Sequence, residues 1–93
     1  MGTNNNNNVH FTPVIIYNNA ETDKLKILSD NKKKAGIYMW THNESGKRYV
    51  GSAVNLNKRF KEYYTKSHLE RNKTMYINNA ILQHGYDTFS LTF

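Results

Sequence analysis

The feature that most constrains this chain is a pair of short β-type runs set around a polar turn. Gly36-Ile37-Tyr38 opens the first run and Tyr49-Val50-Gly51 closes the second, with ten residues between the triplets. The interval contains Thr41-His42-Asn43-Glu44-Ser45-Gly46, rich in the Asn, Ser and Gly that chain reversals select. Two such runs around a glycine-containing turn predict a β-hairpin with strands near 36–41 and 47–51. Side chains alternate along a strand, so Tyr38 and Trp40 face one way, Ile37 and Met39 the other. Tyr38 and Tyr49 fall on neighbouring strands, where they can converge on one surface.

Arg59 follows Gly51 by eight residues, inside Asn55-Leu56-Asn57-Lys58-Arg59-Phe60. Asn55 is a good N-cap, and Leu56, Phe60, Tyr63 and Tyr64 recur at i, i+4, i+7 and i+8. That pattern predicts a helix from about 56 to 65 with one buried face. Arg59 lies at the margin of the face, where its head can reach a ligand over the hairpin. Two phenols and a guanidinium beside a basic surface suit phosphate chemistry better than they suit a core. A phenol is mostly protonated near neutral pH, so it needs a nearby cation or metal before it acts as a base.

The remaining segments are plainer. Residues 1–12, with the run Asn4–Asn8, read as a low-complexity, disordered tail. Residues 13–34 form an N-terminal extension. Within it, Pro13–Tyr17 is an extended segment against the domain edge, and Ala20–Lys33 a short helix with Leu25 and Leu28 as its apolar stripe. Lys32-Lys33-Lys34 supplies a cationic last turn. Lys66–Lys73 reads as a polar link to a helix of about Met75 to His84, with Ile77, Ala80, Ile81 and His84 inward and Gly85 at its end. Phe89-Ser90-Leu91-Thr92-Phe93 alternates strictly and reads as the third strand. The expected fold is α/β (α+β): a small three-stranded antiparallel sheet flanked by helices.

Composition narrows the function. The chain has 93 residues, room for one small domain with a marginal core. Cysteine is absent, which excludes disulfides, thiolate metal sites and a zinc finger. No apolar run approaches membrane-spanning length. The start, an Asn run without arginine, reads as neither a secretory signal nor an arginine-rich transit peptide. The net charge of +6 is concentrated: residues 32–73 hold eight Lys and three Arg against three Glu, a local net of +8. A polyphosphate partner selects such a block. Fourteen asparagines and many lysines, both with AT-rich codons, hint at an AT-rich genome. No pair of histidines has helical metal-ligand spacing, so a histidine metal site is not expected.

The ordered triplets with Arg59 resemble the GIY-YIG nuclease family, the second motif being written here as Tyr-Val-Gly. Gly51–Leu56, Arg59–Tyr64, Asn78–Leu82 and Gly85–Leu91 look most like the intron-encoded homing endonucleases of fungal mitochondria, and the resemblance spans roughly residues 13–93. It implies a DNA endonuclease that hydrolyses phosphodiesters of double-stranded DNA with Mg²⁺ or Mn²⁺. Tyr38 would help activate water, assisted by Tyr49, while Arg59 stabilises charge at phosphorus. Lys47, Arg48, Lys58, Lys61 and Tyr63 would contact DNA. Gly36 and Gly51 would let backbone or substrate approach closely. The resemblance also implies a monomer in a mitochondrion, with a phage or bacterial cytoplasm as the alternative.

Family members carry a metal-binding glutamate on a helix after the third strand. This sequence reaches Phe93 within that strand, and Glu44, Glu62 and Glu70 do not occupy the matching place. Residues 35–93 are therefore expected to be a partial nuclease domain with no metal ligand assigned, and with Phe89, Leu91 and Phe93 partly exposed. The alternative is a non-catalytic DNA-binding remnant of a degraded intron-encoded reading frame.

Overall fold

The hairpin forms around a turn that only a left-handed residue can close. The computed structural model describes residues 15–93; the expected tail at 1–12, together with Pro13 and Val14, lies outside them. In chain order the elements are β1 (Ile16–Tyr17), α1 (Lys24–Asp30), β2 (Gly36–His42), β3 (Arg48–Ala53), α2 (Leu56–Tyr63), α3 (Lys66–Arg71), α4 (Tyr76–His84) and β4 (Phe89–Thr92). Gly46 adopts φ 76°, its amide donating to the His42 carbonyl at 2.7 Å. Ser45 Oγ lies 2.7 Å from His42 Nδ1 and pins the turn. Antiparallel pairing then sets Tyr38 opposite Gly51 and Trp40 opposite Tyr49.

The sheet has four strands, not the three expected, in the order β1-β4-β2-β3 with every pair antiparallel. The addition is β1, whose Ile16 and Tyr17 pair with Thr92 and Leu91. Unpaired amides and carbonyls on the outer edge of β4 attract a strand, and Ile15 and Phe93 extend the match by exchanging backbone hydrogen bonds at 3.3 and 2.9 Å. Ile15–Tyr17, expected only to pack against the domain, is thus part of its sheet.

One face of the sheet is buried. Tyr17, Tyr38, Trp40, His42, Phe89 and Leu91 point into it, beneath the helices. Trp40 stacks on Phe60 with ring centroids 5.7 Å apart and meets Tyr63 and Phe89 edge-on at 5.1 and 5.7 Å. Phe89 and Leu91 are fully buried, contrary to expectation, because β4 is flanked by β1 and β2 and its inner residues lie in this aromatic cluster. The opposite face carries the exposed side chains: Ile16, Ile37 and Val50, the last 71% exposed.

Among the helices, α2 begins where expected, with Asn55 Oδ1 accepting from the Lys58 amide at 3.0 Å and with Leu56, Phe60 and Tyr63 buried. The N-terminal helix is shorter and turned relative to expectation. Ile27 is its buried residue and Leu25 is exposed. It stops at Asp30 because Asn31 Nδ2 donates to the Ile27 carbonyl at 2.7 Å and Lys33 enters the left-handed region, so Lys32–Lys34 lie beyond the last turn. The expected link contains α3, anchored by buried Leu69. In α4 the buried residues are Ile77, Asn78, Ala80 and Ile81, whereas His84 is exposed.

A one-sided sheet makes a direct prediction. Leu91→Ala should cost about 2–5 kcal/mol in urea denaturation, as expected for a buried leucine. Val50→Ala should cost no more than about 0.5 kcal/mol. Equal costs would mean that both faces are covered.

Candidate active site

The site is built on the close approach of Tyr38 to Gly51. A Cβ placed on Gly51 would lie 2.5 Å from the Tyr38 hydroxyl oxygen and 2.6 Å from its Cζ, so only glycine admits the ring there. The rest of the ring packs edge-on against Phe60 at 4.9 Å and Tyr63 at 5.8 Å. Tyr38 is therefore a core side chain, only 2% exposed, whose hydroxyl sits where β2, β3 and α2 meet. This departs from the expectation that the phenols avoid the core.

Two α2 side chains, one helical turn apart, converge on that hydroxyl. Tyr63 Oη lies 2.8 Å from Tyr38 Oη, and Arg59 Nη1 donates to Tyr38 Oη at 3.2 Å. The same Nη1 donates to the Ser52 carbonyl on β3, also at 3.2 Å. Arg59 Nε lies 3.8 Å from Glu62 Oε1, and that oxygen lies 3.9 Å from His68 Nε2. The hydrogen bond to Tyr38 raises the Arg59 pKa above its ordinary value, against the opposing effect of burial. Burial, then the hydrogen bond to Tyr38, pushes the Tyr63 phenol well above its ordinary value, so it keeps its proton. The guanidinium is held on its protein side while its side chain remains 41% exposed, with further N–H donors free to meet phosphate oxygens.

The other expected residues are dispersed. Tyr49 is half-buried opposite Trp40; it lies outside the Tyr38–Tyr63–Arg59 network and lines a neighbouring groove with Lys47 and Arg48. Tyr63, expected to contact DNA, is buried against Tyr38. Lys58 and Lys61 are exposed, but at about 100° per residue Lys61 falls on the far side of α2 from Arg59. Close approach explains Gly51 but not Gly36, where a Cβ would meet nothing within 4 Å. Sequence reasoning missed the Ser52 carbonyl and the Glu62–His68 pair. Glu62, three residues from Arg59 on a helix, was visible as a potential partner; the carbonyl carries no side-chain signal.

Among the described residues, no group of three His, Asp or Glu side chains is placed to hold a metal ion. Glu62, the carboxylate beside Arg59, already faces two basic side chains. A hard divalent cation requires several oxygen ligands, and the residues present do not fit one.

A phenol pair braced against a partly exposed arginine, on a chain of net charge +6, presents donors suited to phosphate oxygens. Residues 34–93 match the GIY-YIG catalytic domain, and the chain belongs to that family. No curated protein and no solved structure matches it. Membership implies a nuclease of the GIY-YIG type acting on DNA, in a family whose members generally depend on a divalent metal. Among the described residues no helix is long and apolar enough to cross a membrane.

Gly51→Ala should destabilise the fold by about 1–3 kcal/mol, the usual cost of overpacking. In a Tyr38→Leu background the same change should lose most of that cost, measured by denaturant unfolding. An undiminished cost would show that Gly51 accommodates something other than Tyr38.

Proposed function

We propose that the chain is the nuclease domain of a homing endonuclease of the intron-encoded, fungal mitochondrial kind, hydrolysing phosphodiester bonds in double-stranded DNA. The observation that carries this reading is Arg59, anchored on Tyr38 and Ser52 yet open to solvent. The local charge of +8 across residues 32–73 supports a DNA partner, and the Asn- and Lys-rich composition suits an organellar gene. Residues 35–93 make up the nuclease domain, 13–34 its N-terminal extension, and the domain acts as a monomer. A phage or bacterial cytoplasm is the alternative setting.

In the reaction, water attacks phosphorus and releases a proton to solvent, the bond from phosphorus to the leaving sugar oxygen breaks, that oxygen takes up a proton from solvent, and negative charge gathers on the non-bridging oxygens in between. Arg59 meets that charge with preoriented N–H donors in a partly desolvated setting. Tyr38 fixes the guanidinium from behind, while Tyr49 borders the next position on β3. Lys47, Arg48 and Lys58 hold flanking phosphates. Mg²⁺ or Mn²⁺ is the cofactor this reading requires; among the described residues no group of three His, Asp or Glu side chains is placed to hold it.

The near-complete burial of Tyr38 favours a second reading, a DNA-binding remnant without catalysis. Purified protein incubated with plasmid and Mg²⁺ or Mn²⁺ separates the two. Under the nuclease reading, Arg59→Ala lowers cleavage by about two to three orders of magnitude, as for loss of a donor aimed at developing charge. Lys58→Ala mainly weakens binding and its salt dependence, and Lys61→Ala, on the far side of α2, changes both less. Equal losses in all three variants would reduce Arg59 to one member of a basic patch. Salt-sensitive binding without any cleavage supports the remnant.

A further inference from the structure

A groove of about 720 Å³ lies beside Tyr49, between the turn end of the hairpin and α4. Lys47, Arg48 and Tyr49 line it from the hairpin; Tyr76, Asn79 and Gln83 line it from the helix. The three helical residues fall at i, i+3 and i+7, a single stripe opposed to the buried Ile77 and Ile81. Tyr76 is 85% exposed, a large aromatic surface that packing does not use. His42 and His84 join the hairpin to α4, with ring centroids 4.4 Å apart. Among the described lining residues Glu44 is the one carboxylate, set against the basic side chains Lys47 and Arg48.

An edge strand connects this groove to the candidate active site. β3 runs from Arg48 in the groove, past Gly51 beneath Tyr38, to Ser52, whose carbonyl holds Arg59. Four residues of strand span about 13 Å, a distance a nucleic acid strand covers within a few nucleotides. Among the described residues β3 pairs with β2 alone, which leaves its other side without a strand partner along this path.

A basic wall facing an exposed aromatic is the chemistry that binds unpaired nucleotides. Cationic side chains track the backbone, and bases released from the stack lie on aromatic rings. Amide side chains donate and accept at base edges. Paired DNA keeps its base faces inside the helix and offers Tyr76 nothing to stack on.

We propose that the groove is a second DNA subsite, holding unpaired nucleotides of the strand whose phosphate sits at Arg59. Lys47 and Arg48 take the phosphates, Tyr76 stacks on a base, and Asn79 and Gln83 meet base edges. Such a subsite has meaning only if the chain acts on DNA, so it rests on the nuclease reading above and adds the form of the strand.

The test is fluorescence anisotropy without divalent metal, using a labelled duplex and the same duplex with a short unpaired bubble. The bubble should bind more tightly. Tyr76→Ala, checked for folding by circular dichroism, should weaken bubble binding about tenfold, within the range for loss of one stacked base, and erase the preference. Lys47→Ala should weaken both ligands and reduce the salt slope by about one. Binding of both DNAs with no bubble preference, or a Tyr76→Ala loss equal on both, overturns the subsite and leaves the nuclease reading standing. Failure to bind either DNA overturns the nuclease reading itself.

Discussion

Tyr38 leans across the backbone of Gly51, at a distance no Cβ would allow, and there its hydroxyl meets Tyr63 and Arg59. Three elements bring these groups together. β2 carries Tyr38, β3 supplies both the glycine and the Ser52 carbonyl, and α2 delivers the phenol and the guanidinium one turn apart. The hairpin register sets Tyr38 against Gly51, the Asn55 cap fixes where α2 starts, and Phe60 packs the Tyr38 ring from the helix side. A shift in any of these separates the groups that carry the proposed chemistry.

Burial gives this network its energetic weight. A hydroxyl pair removed from water is costly to leave unpaired and well worth satisfying, because the low local dielectric strengthens each bond. The Tyr63 phenol is driven to hold its proton, and Arg59 holds its own more tightly for donating to Tyr38. The guanidinium is thereby oriented before any phosphate arrives, which reduces the reorganisation a bound anion would demand. Glu62 and His68 sit on its solvent side, where a phosphate would compete with the carboxylate.

Local rules made much of this legible. The hairpin, the Asn55 cap, the alternation that puts Tyr38 and Trp40 on one face, and the spacing that buries Phe60 and Tyr63 all follow from neighbouring residues. What escaped depends on distant partners. β1 is two residues long and exists only because the edge of β4 is free. α3 offers one apolar residue, too few for a periodic signal. In α1, Ile27 outcompeted Leu25 for burial through tertiary contacts that helical spacing does not encode. At the site, the triplets and Arg59 pointed to the right surface. They did not show that the Tyr38 ring lies inside the core, or that Tyr49, two residues along β3 from Gly51, falls into the next groove rather than the network.

The central claim is that Tyr38 and Tyr63 form a buried, mutually dependent pair. A double-mutant cycle on folding stability, with Tyr38→Phe, Tyr63→Phe and the double variant, tests it without reference to DNA. The structure predicts a coupling of about 0.5–1.5 kcal/mol, because either single change leaves the remaining hydroxyl short of a partner. Additivity within about 0.3 kcal/mol would contradict the account, showing that the two hydroxyls do not meet in solution.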